Sequence, residues 1–289
     1  MLIQKFLKNK YKNISGITVI DSGKPGKNIG ILAITHGNET VGLKIFKYLE
    51  EDITIKKKLQ QGKIFLITMN PLAYKKQTRF IDDNMNRISN QIFNPQSYEY
   101  KRLEELKPIL NELDIVLDIH SFSNSYDLVA ICDKNNIQTT KAIFSLETIL
   151  VDDLKKSGSI IGYCKRNNTE GYGIECGHHN DPNGLEKGKQ QIINFLSYYN
   201  AIHINSYNST NNIEHQNIYQ FKEKIQPLTD NFTFTKPFVG FTSLEENEIF
   251  AKDQDKEYRN TLGKNIYLGI PAKNPKATDG AGFLFEKLE

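Results

Sequence analysis

The chain has 289 residues, with 37 Lys and Arg against 34 Asp and Glu for a formal net charge of +3; 38% are hydrophobic and 25% charged. That is the composition of a globular protein long enough to bury a core without staples, and it excludes fibrous, collagen-like and disulfide-scaffold classes. Lysines alternate with Glu and Asp rather than forming a basic stripe, and no stretch approaches the roughly 20 apolar residues that span a bilayer, so neither a nucleic-acid nor a membrane partner is expected.

The first residues, MLIQKFLKNKYKNISG, break every apolar pair with Lys or Gln and offer no signal-peptide core. Residues 30–35 (GILAIT) read as a strand buried on both faces that runs directly into HGNETVG. Residues 40–49 place Val41, Ile45, Tyr48 and Leu49 at helical spacing, so His36 and Glu39 fall in the turn entering a helix. Residues 63–68 (KIFLIT) form a second strand, stopped by Asn70-Pro71. A helix over 98–113 is expected to end or break near Pro108. Residues 114–119 (DIVLDI) are a third strand that delivers His120 at its end. Residues 128–132 and 172–176 are further strands, and 185–199 a closing helix. Strands alternating with helices argue for an α/β layer with a largely parallel sheet, in which sites collect at the carboxyl ends of strands.

After an Asn- and Ser-rich stretch, NSYNSTNNIEHQN, short β-like runs such as 232–239 and 265–270 recur among Pro and Gly. Two domains are expected, a catalytic one over 1–202 and a small β-rich one over 203–289. Cys132, Cys164 and Cys176 are odd in number and widely spaced, which reads as reduced thiols and a cytoplasmic location.

Three groups of residues carry chemistry. His36, Glu39 and the distant His120 offer two imidazoles and a carboxylate, a frequent catalytic zinc set when a fourth position is left to water. The alternative is a Glu at a helix start beside an unrelated His. Arg79, Asn86 and Arg87 lie in one polar loop and suit recognition of a carboxylate through the planar guanidinium fork; alternatively the arginines pair with Asp82 and Asp83 on the surface. Glu175, in GIECG at a strand end, suits a general base acting on water, or else is a solvated Glu on a bulge. His178 and His179 follow it; one of them is expected to line the pocket, and neither is read as a ligand. Cys176 should face away from Glu175 by strand alternation.

Taken in order, THGNETVG, NPLAYKKQTRFIDDNMNR, LDIHS and GIECG resemble the succinylglutamate desuccinylase and aspartoacylase family, a branch of the zinc carboxypeptidase-like hydrolases. The resemblance implies a three-layer α/β/α domain with a mixed, largely parallel sheet and a small C-terminal β-rich domain. It further implies one zinc ion held by His36, Glu39 and His120, substrate or carbonyl contacts from Arg79, Asn86 and Arg87, and Glu175 as general acid/base. An Arg about ten positions before the catalytic Glu in aspartoacylases maps to Lys165 or Arg166, which sequence does not separate; Arg166 is the candidate substrate-binding residue of the two. The chain departs from the family in having Asn84-Met85-Asn86-Arg87 where Asp-Leu-Asn-Arg is usual, and in offering only Tyr267 near the place of a C-terminal-domain Tyr.

The implied activity is hydrolysis of an N-acyl amino acid, a small-molecule substrate. Asp118, two residues before His120 and so on the same strand face, either orients that imidazole or is a plain Asp facing the helices. A zinc carboxypeptidase acting on short peptides is the nearest rival, and a catalytically silent binding protein on the same scaffold is another. Homo-oligomerisation is left open.

Overall fold

A computed structural model describes residues 2–91, 94–123, 125, 127–203, 215–277 and 280–288. In chain order the first elements are α1 (Leu2–Lys8), β1 (Lys10–Tyr11), β2 (Ile14–Ser15), β3 (Ile17–Asp21), β4 (Asn28–Ala33), α2 (Val41–Glu51), α3 (Ile55–Lys58), β5 (Lys63–Thr68), α4 (Pro71–Lys76), α5 (Tyr98–Leu110) and β6 (Ile115–Phe122). Next come β7 (Leu128–Asp133), α6 (Ile137–Ile143), β8 (Thr148–Asp152), α7 (Ile160–Arg166), β9 (Glu170–His178) and α8 (Pro182–Tyr198). The last are β10 (Asn217–Ile225), β11 (Thr233–Phe234), β12 (Phe241–Leu244), β13 (Ile249–Asp253), β14 (Lys256–Arg259), β15 (Ile266–Gly269) and β16 (Gly282–Lys287).

Eleven strands form one sheet in the order β12-β15-β16-β10-β8-β7-β9-β6-β4-β5-β3. The pairings β5–β4, β4–β6, β6–β9, β7–β8 and β8–β10 are parallel. The continuous apolar runs seen in the sequence are the strands buried on both faces: β4, β5 and β6 each expose almost nothing. One face carries Val41, Leu43, Ile45, Phe46 and Leu49 of α2 with Ile192, Phe195 and Leu196 of α8. The other carries Leu103, Leu106 and Ile109 of α5 with Ile160, Ile161 and Cys164 of α7. The result is the α/β/α layering expected. Pro108 falls in the last turn of α5, which ends two residues later, so the expected stop holds to within one turn.

The direction of the sheet reverses at β9–β7, an antiparallel pair. β4, β6 and β9 are adjacent and parallel, so their carboxyl ends lie together on one edge, and this is what gathers the site. The Asn- and Ser-rich stretch lies largely outside the described residues. Beyond it the chain is β-rich, and β10 pairs with β8, so that β16, β15 and β12 extend the same sheet. β11, β13 and β14 form a separate three-stranded sheet packed through Phe232 and Phe250. No helix among the described residues is long and apolar enough to cross a membrane.

Candidate metal centre and active site

The chain leaves β4 through Ile34, which is fully buried at φ +62°. A β-branched residue rarely adopts the left-handed region, at a cost of about 1–3 kcal/mol, so the packing around it must hold the turn in place. Next come His36 and Glu39, both buried, on either side of Gly37. Gly37 is required for space rather than for a positive φ: a Cβ there would lie 2.2 Å from the Ala73 carbonyl carbon and 2.5 Å from Thr78 O. Its N–H donates to the carbonyl of Arg79 at 2.9 Å, which ties this turn to the arginine loop.

β6 carries His120 into the same place. His36 Nδ1 lies 2.7 Å from Glu39 Oε1, and His120 Nδ1 lies 2.8 Å from Glu39 Oε2. Ligand atoms of His36, Glu39 and His120 all fall within 4.8 Å of one another. At each imidazole the other nitrogen is held from behind. His36 Nε2 is 3.0 Å from Asn84 Oδ1, and His120 Nε2 is 2.9 Å from Asp118 Oδ2. Thr35 Oγ1 in turn donates to Asp118 Oδ1 at 2.8 Å. Both Nδ1 atoms and the Glu39 carboxylate converge in a buried space, and with Nε2–H donated outward the two Nδ1 lone pairs would be available to a cation there. A divalent cation satisfies all three at once, so this donor set fits zinc.

The electrostatics follow from burial and mutual proximity. Burial opposes ionisation of Glu39, but the His36 and His120 imidazoles outweigh it and hold the carboxylate well below its ordinary range. Burial lowers the pKa of His36 in spite of Glu39. For His120 burial is overcome by Asp118 and Glu39, which raise it well above the ordinary imidazole value. Glu175 is the register partner of His120 on β9. Burial, opposed by His120 and reinforced by the Glu39 charge, pushes its carboxyl up to about 8. Its Oε2 is buried with no protein hydrogen-bond partner.

Arg79 reaches the cluster, donating from Nη1 to Glu39 Oε1 at 2.8 Å. Arg87 is exposed and donates to the Asn86 carbonyl at 2.7 Å. Asn86 divides its carboxamide: Oδ1 accepts from Ile160 N at 2.9 Å, while Nδ2 faces His120 Nε2 at 3.5 Å. Arg166 is not brought to the cluster. Its guanidinium donates to the carbonyls of Lys155 and Ser157 and to Ser89 Oγ, fastening the 155–159 turn to the segment behind Arg87. Lys165 lies against Asp133 and Asn136. Tyr267 packs on Tyr219. Cys176 belongs to the core on the α2/α8 face, turned away from Glu175.

One position that shapes the site was not evident from sequence. Glu99, fully buried at the start of α5, accepts from Asn70 Nδ2, Ile81 N, Asp82 N and Asp83 N. One carboxylate thus shapes the loop between Arg79 and Asn84. Asp82 is used as a cap, accepting from Tyr98 N, so the surface pairing of the arginines with it is not what forms. The only available signal was a Glu just after Ser97, which resembles any acidic first turn. Of the adjacent histidines one of which was expected to line the pocket, His179 has its Nδ1 2.8 Å from Ser121 Oγ, beside His120.

Comparison with known proteins bears on the same residues. A family model described as the succinylglutamate desuccinylase/aspartoacylase catalytic domain matches residues 25–197. Succinylglutamate desuccinylase of Shewanella frigidimarina is 29% identical over 98 residues, 32% of this chain and 29% of that protein. That of Shewanella putrefaciens is 34% identical over 86 residues, 27% of this chain and 25% of that protein. The matches thus span less than a third of these curated relatives. Over the whole fold, the succinylglutamate desuccinylase structure from Vibrio parahaemolyticus superposes with a TM-score of 0.74 at 18% identity, covering 95% of this chain and 87% of that one. The product-bound ectoine utilization protein EutE (DoeB) from Ruegeria pomeroyi gives 0.70 at 14%, covering 93% and 88%.

Proposed function

Since the chain belongs to the succinylglutamate desuccinylase/aspartoacylase family, its catalytic-domain match covering residues 25–197, we propose that it is a zinc-dependent amidohydrolase that removes the acyl group from an N-acyl amino acid. The observation that carries this reading is the convergence of His36 Nδ1, His120 Nδ1 and the Glu39 carboxylate, with Glu175 beside His120 on the adjacent strand.

His36, Glu39 and His120 would hold one zinc ion, whose Lewis acidity brings the ionisation of water towards pH ~7 and polarises a carbonyl. The remaining chemistry belongs to side chains. Glu175, whose Oε2 has no protein partner, accepts the proton of the attacking water and then delivers it to the departing nitrogen. A carboxyl held near neutrality by burial suits both directions of transfer. Arg79 stands at the Glu39 edge of the cluster and donates to the oxygen on which negative charge develops, a contribution of about 3–4 kcal/mol for a donor of this kind. Arg87, exposed and with no carboxylate in hydrogen-bonding distance among the described residues, and Asn86 through its amide nitrogen receive the free carboxylate of the amino acid. Asn84 and Asp118 keep the two imidazoles in the tautomer that turns Nδ1 inward.

The test is metal analysis of the purified protein together with assay of N-acetyl, N-succinyl and longer N-acyl derivatives of glutamate and aspartate, and of short peptides. One zinc per chain and hydrolysis of an N-acyl amino acid are expected. Glu175→Gln should keep the metal and lose turnover. Hydrolysis of peptides alone, or turnover retained by Glu175→Gln, overturns the proposal.

A further inference from the structure

The two imidazoles of the centre are held from behind by different kinds of group. Asp118, itself buried, lies 2.9 Å from His120 Nε2 through Oδ2 and accepts the Thr35 hydroxyl on Oδ1 at 2.8 Å. His120 thus has a carboxylate behind it. His36 has a carboxamide: Asn84 Oδ1 lies 3.0 Å from His36 Nε2. The same oxygen caps the one-turn helix Met85–Arg87, accepting from Asn86 N at 3.0 Å. A backbone N–H only donates, so the carboxamide turns its oxygen to both neighbours and His36 Nε2 carries a proton. The cap therefore fixes the orientation of the group that orients the ligand.

The difference continues in the shared carboxylate. Glu39 Oε1, 2.7 Å from His36 Nδ1, also accepts from the Arg79 guanidinium at 2.8 Å, whereas Oε2, 2.8 Å from His120 Nδ1, faces the neutral Ser121 N–H at 3.4 Å. One half of the centre has an anion behind its imidazole and an uncharged donor on its oxygen. The other half has an uncharged amide and a cation. A carboxylate behind an imidazole raises its basicity as a ligand, and a cation on a carboxylate oxygen opposes a second cation there, so both differences make the His36 half the weaker donor. Capping does not require this choice. Asn and Asp cap a helical turn about equally well, and either would accept from both Asn86 N and His36 Nε2. What the residue at 84 decides is charge.

We propose that Asn84 is a positioning residue that sets the metal affinity of this centre: its uncharged oxygen orients His36 without strengthening it, so zinc is held less tightly and exchanges faster than with a carboxylate at this position. The proposal rests on the zinc hydrolase reading above and adds to it what controls loading of the metal.

Zinc affinity is measured by competition with a chromophoric chelator at about pH 8, where protons compete little with the imidazoles, and zinc release by stopped-flow transfer to excess chelator. The proteins compared are wild type, Asn84→Asp, Asn84→Ala and the exchanged pair Asn84→Asp/Asp118→Asn. Asn84→Asp should bind zinc about tenfold more tightly and release it correspondingly more slowly, while Asn84→Ala, which removes the oxygen without adding charge, should bind it less tightly. The exchanged pair again has one carboxylate and one carboxamide and should lie within about threefold of wild type. A purely structural role for Asn84 predicts loss in every variant, and damage to the fold cannot produce a gain. Affinity of Asn84→Asp at or below that of wild type, or an exchanged pair as weak as Asp118→Asn alone, overturns the inference; zinc-dependent turnover by wild type would still leave the hydrolase reading standing. Tighter zinc in Asn84→Asp with no hydrolysis of any N-acyl amino acid by wild type supports the inference and removes the hydrolase reading. Failure of wild type to bind zinc removes both.

Discussion

Glu99→Gln tests how the arginine loop is held. In the native chain Oε1 accepts from Asn70 Nδ2 at 2.9 Å and Ile81 N at 2.7 Å, and Oε2 accepts from Asp82 N at 3.0 Å and Asp83 N at 3.2 Å. A carboxamide keeps one oxygen and turns an NH2 group towards the other two donors, whichever way it is placed. Two charge-assisted hydrogen bonds are lost and two donors are left facing a donor in a fully buried position. At about 1.5–3 kcal/mol for each bond, the loss is about 3–6 kcal/mol, a large share of the stability of a typical domain. The loop between Arg79 and Asn84 is the first part to loosen, so activity should fall further than the fraction of folded protein does. Urea unfolding followed by circular dichroism and by tyrosine fluorescence, with kcat measured in the native baseline, separates the two effects. An unfolding free energy within about 1 kcal/mol of wild type with unchanged kcat would refute the assignment of Glu99 as the residue that shapes this loop.

Three further outcomes follow from the site. Gly37→Ala forces a Cβ against backbone atoms of Ala73 and Thr78, which cannot swing away; zinc stoichiometry should drop well below one per chain, and full metal content would show that the turn has slack. Asp118→Asn keeps the hydrogen-bonding oxygen but removes the charge behind His120, so zinc affinity in competition with a chromophoric chelator should weaken about 10–100-fold; an unchanged affinity would rule out a tuning role for Asp118. In metal-free protein, Glu175 has a folded pKa of about 8, above its unfolded value of 4.5, so it contributes stability below pH 4.5 that is lost as pH rises towards 8. The melting temperature of wild type relative to Glu175→Gln should therefore fall between pH 5 and pH 7, and a constant difference would show that Glu175 is not protonated in the fold.

Strand existence was legible because β4, β5 and β6 are buried on both faces and so leave uninterrupted apolar runs, bounded at each end by residues that cannot continue them. β8 and α7 were not read, since a five-residue strand and a seven-residue helix carry too few periods to stand out from a loop. The continuation of the sheet from β8 into β10 was invisible for another reason: parallel pairing between residues 148 and 217 leaves no local mark, and the stretch before β10 has the composition of a linker.

At the site, the chemistry-bearing side chains were legible by type and position, whereas the groups that aim them were not. Asn84 illustrates the difference. In sequence it is a departure from the Asp usual in the family. In three dimensions its Oδ1 accepts from the backbone N–H of Asn86 and lies 3.0 Å from His36 Nε2, so a carboxamide oxygen fills the geometric role of a carboxylate while adding no charge. His120 is backed by Asp118, and the two imidazoles are therefore unequal: one is raised well above its ordinary pKa and the other lowered. Burial lowers His36, with no charge behind it from Asn84, while the Asn84 oxygen still holds the ring's orientation. Arg166 shows the converse, since a charge in the right stretch of sequence is consumed by two carbonyls and a hydroxyl. A guanidinium is drawn to whatever unpaired acceptors the local fold leaves it. Which arginine faces substrate is thus decided by the backbone around it and cannot be read from residue type and spacing.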